Sequence, residues 1–228
     1  MKPLLLCLLC APSLLRAAEP TALIEPTLGS LTITQFVSAP YPHPSRADGH
    51  KYKEEMFPAA KHYSDSSVGI FIPKNFHSTG RVDVVVHFHG WRNNVTNVFK
   101  QFQLAEQLVE SGRNAVLVVP QGPRDAADSS DGKLEDADGF KKFIGELTSF
   151  LQRERVAGDA PVTMGNIILS AHSGGYKVTA AIVDRGGVSE RVREVWLFDA
   201  LYGGTENFLA WSDKYGGRFV DIYTDNGG

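Results

Sequence analysis

The chain has 228 residues and a formal net charge of −3, with 43% hydrophobic and 21% charged residues. This composition allows one well-packed core and excludes the disordered and fibrous classes. A mildly acidic chain without a cluster of Lys and Arg gives no electrostatic reason to expect a nucleic acid as a partner.

The N-terminal residues carry the pattern of a secretory signal peptide. Lys2 precedes an apolar run at 4–15, and Ala18 offers a cleavage site. The run is too short for a transmembrane helix. We therefore expect residues 1–18 to be removed and residues 19–228 to form a single domain. The mature protein is expected to be secreted or periplasmic, without a stable membrane span.

Strands and helices are predicted along the rest of the chain, except in a polar stretch at 38–66. Strands are predicted at Leu31–Val37, Val68–Pro73, Val82–Phe88, Ala115–Val119, Ile167–Ser170, Val192–Phe198 and Phe219–Tyr223. Apolar residues at helical spacing predict helices at Asn97–Ser111, Phe140–Leu151, from Tyr176 onward and at Thr205–Ser212. This alternation predicts an α/β fold: a mostly parallel central sheet with helices on both faces.

Polar or small residues follow the central strands, where a parallel sheet gathers its functional side chains. These strand ends read His87-Phe88-His89-Gly90-Trp91, Pro120-Gln121-Gly122, His172-Ser173-Gly174, Asp199-Ala200-Leu201 and Thr224-Asp225-Asn226. The segment Ala171-His172-Ser173-Gly174-Gly175 is predicted to be a tight turn between a strand and a helix.

This order of elements resembles the α/β-hydrolase family over about residues 68–226, with A-H-S-G-G in place of the commoner G-x-S-x-G turn around the nucleophile. The resemblance implies that Ser173 is a nucleophile that forms an acyl-enzyme. It further implies that the backbone N–H groups of Gly174 and Trp91 form the oxyanion hole, with neither a cofactor nor a metal.

Two histidines near this turn are given lesser roles by the same resemblance. His89, in the His89-Gly90 dipeptide, is expected to brace the loop by hydrogen bonds rather than to react. His172 occupies the variable position of the turn, where it either touches an acyl group or, more commonly, packs against neighbouring strands.

The acid of a catalytic triad has two candidates. Asp225 follows the seventh strand, where most relatives place the acid, whereas Asp199 follows the sixth, as in a minority of secreted lipases and esterases. A carboxylate directly after the apolar run at 195–198 needs a partner, which fits either a catalytic or a structural Asp199. Both candidates remain open at this point.

No histidine follows Ser173, although the family supplies its general base from a loop after the eighth strand. We expect the chain to be a fragment whose last strand, helix and catalytic histidine lie beyond Gly228, and the 228-residue form to be inactive. The predicted function is hydrolysis of a small or polymer-borne carboxylic ester. The alternatives are a peptidase or amidase on the same scaffold and a non-catalytic binding module that lacks the histidine.

The acidic segment at 121–139 lacks the spacing of a calcium loop. It is predicted to be a solvated loop beside the site.

Overall fold

The structure, a computed structural model, describes residues 23–78 and 80–225; the predicted signal peptide lies outside them. In chain order the elements are β1 (Gly29–Gln35), β2 (His50–Tyr52), β3 (Glu55–Phe57), α1 (Ala59–His62), β4 (Ser67–Pro73), β5 (Arg81–Phe88), α2 (Val95–Phe102), α3 (Leu104–Glu110), β6 (Val116–Pro120), α4 (Gly139–Arg153), β7 (Thr163–His172), α5 (Tyr176–Arg185), β8 (Val192–Phe198), α6 (Thr205–Tyr215) and β9 (Arg218–Ile222). Among the described residues, no helix is both long enough and apolar enough to cross a bilayer.

Seven of the strands form one mixed sheet in the order β1-β4-β6-β5-β7-β8-β9. The pairs β1–β4 and β4–β6 are antiparallel, and the other four neighbouring pairs are parallel. The prediction of a mostly parallel central sheet is therefore confirmed. Strands β2 and β3 pair with each other as a separate hairpin outside this sheet.

Alternate residues of the central strands enter two different cores, because successive side chains of a strand point to opposite faces of the sheet. Val84 and Val86 pack in the core that contains Phe143 of α4, together with residues of α5 and α6. Val85, between them, packs in the core that contains Phe99 of α2, together with residues of α3. Helices thus cover both faces, as predicted, and the fold is a three-layer sandwich.

The structure differs from the prediction in the helical region at 97–111 and in the polar stretch at 38–66. The prediction of a single helix at 97–111 is wrong. Gln103 has a left-handed backbone with φ of 50° and separates α2 from α3. Such a residue interrupts the i to i−4 ladder of backbone hydrogen bonds. The polar stretch at 38–66 contains β2, β3 and α1. These short elements lack the length over which a periodic pattern is readable.

Candidate active site

The turn after β7 holds Ser173 at the carboxyl edge of the sheet. Ser173 has a φ of 51°, in the left-handed region that costs a residue with a side chain roughly 1–2 kcal/mol. A short 3₁₀ turn at Ser173–Gly175 leads into α5. A Cβ atom added to Gly175 would lie 2.6 Å from the carbonyl oxygen of Phe88, at the end of β5. The turn is therefore fixed by direct backbone packing against the neighbouring strand.

The loop that follows β5 touches this turn on both sides of the serine. A Cβ atom added to Gly90 would lie 2.8 Å from Ser173 Cβ and 3.1 Å from the carbonyl oxygen of His172. A Cβ atom added to Gly174 would lie 2.9 Å from Cδ1 of Trp91. The structure therefore brings together four of the residues predicted from the sequence, Gly90, Trp91, Ser173 and Gly174.

His89 braces two loops. Its Nδ1 lies 2.8 Å from the carbonyl oxygen of Gly90, so Nδ1 carries the proton and donates it. Its Nε2 then accepts hydrogen bonds from the backbone N–H of Gly122, at 3.2 Å, and from the side-chain amide of Gln121, at 2.9 Å. Burial lowers the pKa of His89, which keeps the ring neutral in this arrangement. Both ring nitrogens are occupied, and they join the loops after β5 and β6.

The β2–β3 hairpin lies beside the same loop. The ring of Tyr52 meets Trp91 edge to face, with ring centroids 4.8 Å apart. Arg92 has a left-handed backbone with φ of 54°, its N–H donates to the carbonyl of Ala126 at 2.8 Å, and its guanidinium pairs with Glu55. The hairpin thus forms one wall beside Trp91, a residue that remains 41% exposed.

The prediction of a solvated loop at 121–139 is wrong, because Asp128 and Asp131 are buried. The Arg46 guanidinium donates two hydrogen bonds to Asp128, at 2.6 and 3.0 Å. Burial acts to raise the pKa of Asp128, but the Arg46 pair and the Ser130 N–H outweigh burial and hold that pKa below its usual value. Burial, with the nearby charges of Glu135 and Asp128, raises the pKa of Asp131 well above its usual value.

Ser129, in this loop, is a site residue that the sequence analysis missed. The indole N–H of Trp91 donates to Ser129 Oγ at 2.7 Å. A Cβ atom added to Gly174 would lie only 2.6 Å from the same oxygen. No local signal distinguishes this serine within an acidic segment, since its position depends on how the loop folds back over the turn.

The two candidate acids differ in their surroundings. Asp199 follows β8 directly, has a φ of 48°, and is half-buried. Its Oδ1 accepts hydrogen bonds from the backbone N–H of Thr224, at 3.2 Å, and from the Thr224 hydroxyl, at 2.8 Å. Asp225 is exposed, and no hydrogen bond or ion pair joins it to another described residue. The structure therefore fixes the carboxylate of Asp199 but not that of Asp225.

Strand register also separates the two acids by distance. His172 on β7 pairs with Phe198 on β8, so Ser173 and Asp199 each follow a paired residue on adjacent strands. Neighbouring strands lie about 4.8 Å apart. Asp225 follows β9, two strands from β7.

The buried His87 and the half-buried His172 border an apolar cavity of about 320 Å³ on the face of the sheet that carries α2 and α3. The ring of His172 lies 5.0 Å from that of Phe102, and burial lowers the pKa of His172. His87 contacts the Ser170 hydroxyl at 2.9 Å, and burial lowers the pKa of His87 to about 3. The contact with Phe102 shows that His172 packs against α2. No hydrogen bond joins a histidine of the described ranges to Ser173 Oγ.

No family model matches the chain, and no curated protein matches it in sequence. Among solved structures it is similar to a ferulic acid esterase, with 12% identity, a TM-score of 0.51, and coverage of 88% of this chain and 92% of that one. It is also similar to a ferulic acid esterase from the anaerobic fungus Anaeromyces mucronatus, with 11% identity, a TM-score of 0.40, and coverage of 93% and 87%. A third similar structure is an acetyl xylan esterase from Aspergillus awamori, with 13% identity, a TM-score of 0.43, and coverage of 74% and 51%.

At these identities a structural likeness establishes the fold alone. The likeness to the first esterase extends over most of both chains. The mostly parallel seven-stranded sheet, covered by helices on both faces, fits the same fold class. The chain has the α/β-hydrolase fold.

Proposed function

We propose that this protein is a serine hydrolase that cleaves a carboxylic ester through an acyl-enzyme on Ser173. The observation that carries the proposal is the left-handed backbone of Ser173 at the carboxyl end of β7, with the Gly90 loop packed against it. In the first step the Ser173 oxygen attacks the ester carbonyl and the alcohol leaves. In the second step water releases the acid and restores the serine.

The oxyanion of each step is proposed to receive hydrogen bonds from the backbone N–H groups of Gly174 and Trp91. This assignment is supported by the contact between the Gly174 backbone and the Trp91 ring, which places both residues beside the serine. The bracing of the loop by His89 supports it as well, because an oxyanion hole acts through donors that are already fixed before reaction.

Asp199 is proposed to be the acid of the triad, because its carboxylate is held one strand away from Ser173. Asp199→Asn preserves the shape of the side chain and removes its charge. Loss of a triad acid lowers kcat by up to about 10⁴-fold. The larger loss is expected in Asp199→Asn, and a larger loss in Asp225→Asn would instead make Asp199 a brace for the Thr224 loop.

The general base is proposed to be a histidine that lies after residue 228. The test begins with the genomic sequence downstream of codon 228. An in-frame extension that carries a histidine after a further strand supports the proposal, and replacement of that histidine by Ala should lower kcat by several orders of magnitude. A stop codon at that point would favour the binding module.

The full chain encoded by the gene provides the decisive experiment. It is incubated with p-nitrophenyl acetate and, separately, with a fluorophosphonate probe that reacts with activated serines. We expect turnover of the ester and a covalent adduct on Ser173. Ser173→Ala should lose both, with kcat reduced at least about 1,000-fold. Ester hydrolysis that survives this replacement would show that Ser173 is not the nucleophile.

The substrate is proposed to be a small or polymer-borne ester. The structure with the TM-score of 0.51 is a ferulic acid esterase, which motivates methyl ferulate as a second substrate beside p-nitrophenyl acetate. A peptidase or amidase uses the same groups, so the anilide of the same acyl group is the matched comparison. Faster cleavage of the anilide than of the ester would favour that alternative.

Secretion or periplasmic export is proposed from the leader at residues 1–18. The N-terminal residue of the protein recovered from the producing cells tests this directly. A mature N-terminus at Glu19 is expected, whereas retention of Met1 in a cytoplasmic fraction would contradict export.

A further inference from the structure

We propose that Ser129 is a catalytic residue, a third hydrogen-bond donor to the oxyanion in addition to the backbone N–H groups of Trp91 and Gly174. This role rests on the proposed ester hydrolysis at Ser173. It assigns a function to the loop after β6, in which the sequence marks no catalytic residue.

The contact with Trp91 fixes the direction of the hydrogen on the Ser129 hydroxyl. An indole N–H can only donate, so Ser129 Oγ is the acceptor in its 2.7 Å contact with Trp91 Nε1. The hydroxyl hydrogen of Ser129 must point elsewhere. Among residues 23–78 and 80–225, no acceptor takes this hydrogen. The Ser129 hydroxyl therefore has a hydrogen that is free to be donated to a ligand.

This hydroxyl donor lies beside Gly174. Ser129 Oγ lies 2.6 Å from the position that a Cβ atom on Gly174 would occupy. Gly174 follows the nucleophile directly, and its N–H is proposed to bind the oxyanion. The hydroxyl therefore lies against the Cα of Gly174, the atom bonded to the N–H that is proposed to bind the oxyanion, and only a glycine at 174 leaves room for it.

Hydrogen bonds hold the residues on both sides of Ser129. The carbonyl of the next residue, Ser130, accepts a hydrogen bond from the buried Tyr41 hydroxyl at 2.6 Å. The N–H of Ser130 donates to Asp128 at 3.1 Å, and Asp128 is itself held by two hydrogen bonds from Arg46. Fixed residues thus flank Ser129. A donor held in place before reaction stabilises a transition state without the cost of reorganisation.

The test measures kcat and KM for p-nitrophenyl acetate with the full chain, Ser129→Ala, Trp91→Phe and the double variant. Removal of one oxyanion donor lowers kcat about 10²- to 10³-fold in a well-studied protease. For a neutral hydroxyl we expect Ser129→Ala to lower kcat about 10- to 100-fold while KM changes less than about threefold. Fluorophosphonate labelling of Ser173 should persist at a reduced rate.

The double variant separates a catalytic role from a structural one. If Ser129 contacts the oxyanion, Ser129→Ala should lower kcat at least about tenfold whether residue 91 is Trp or Phe. If Ser129 only anchors the Trp91 ring, its removal has no further effect once the indole N–H is absent, and the proposal is overturned.

A matched control is Ser212→Ala on α6, which also removes a half-buried hydroxyl with one hydrogen bond, to the carbonyl of Gly217 at 2.9 Å. Its kinetics should equal those of the unmodified chain. Full activity of Ser129→Ala with an inactive Ser173→Ala would overturn the role of Ser129 alone. An unmodified chain that neither turns over the ester nor is labelled at Ser173 would overturn both the proposed function and this role.

Discussion

Replacement of Ser173 by Gly is predicted to make the protein more stable than replacement by Ala, although both variants lack the nucleophile. A left-handed backbone with φ of 51° destabilises the folded chain by roughly 1–2 kcal/mol when the residue has a Cβ atom, and glycine avoids this cost. The glycine variant loses about 0.4–1 kcal/mol of stability, because its unfolded chain has greater conformational freedom. The difference leaves Ser173→Gly about 0.5–1 kcal/mol more stable, or about 1–4 °C higher in Tm for a domain of this size.

The assay is urea unfolding followed by circular dichroism, with thermal melts as a second measurement. The same pair of replacements at Ser149, an exposed residue inside α4, provides the control. There the order should reverse, because Gly in a helix interior is about 1 kcal/mol less favourable than Ala. If Ser173→Gly were equal to Ser173→Ala or less stable, the left-handed turn would not exist in solution, and the structural basis of the proposed nucleophile would be lost.

Three further predictions concern packing and pH. Gly90→Ala should lower kcat about 100-fold, because its Cβ would lie 2.8 Å from Ser173 Cβ and must displace the loop; Gly145→Ala, with nothing within 4 Å, should leave the kinetics unchanged. His87 has a folded pKa of about 3 because burial disfavours its charged form, so its contribution to stability is present above pH 6.5 and is lost as the pH falls toward 3. His87→Gln should therefore flatten the plot of unfolding free energy against pH in that window by up to about 1.4 kcal/mol per pH unit, measured by urea unfolding. Burial raises the pKa of Asp131, so the stability it contributes is present below about pH 3.8 and is lost as the pH rises through its folded pKa; Asp131→Asn should raise Tm at pH 7, by about 2–4 °C for each kcal/mol relieved.

The elements of the sheet were predictable because their residues report on local geometry. The strand at Val192–Phe198 has the predicted bounds, since its apolar run begins and ends with the strand. The turn at Ser173 was located by its position between an apolar run and a helical pattern. Its left-handed backbone required the structure, because the contact with Gly90 joins residues from separate parts of the chain.

The loop at 121–139 was not predictable in this way. Five aspartates in a short segment indicate solvent exposure when only the local sequence is considered. Asp128 is instead buried because its partner, Arg46, lies 82 residues earlier in the chain. The role proposed for Ser129 depends on the same long-range arrangement. Spacing alone also left Asp199 and Asp225 equivalent, because both follow strands, and the hydrogen bonds of Thr224 distinguish them.

The Arg46–Asp128 pair limits the motion of the loop after β6. Opening the loop after β6 would separate these charges and expose a carboxylate that is 5% accessible in the folded chain. Separating the pair gives up two hydrogen bonds between charged groups, which contribute about 1.5–3 kcal/mol each, or about 3–6 kcal/mol together. At the upper end of that range, the open form would be populated less than about once in a thousand molecules. We therefore expect the proposed substrate to meet a rigid wall on this side of Ser173, rather than a loop that closes around it.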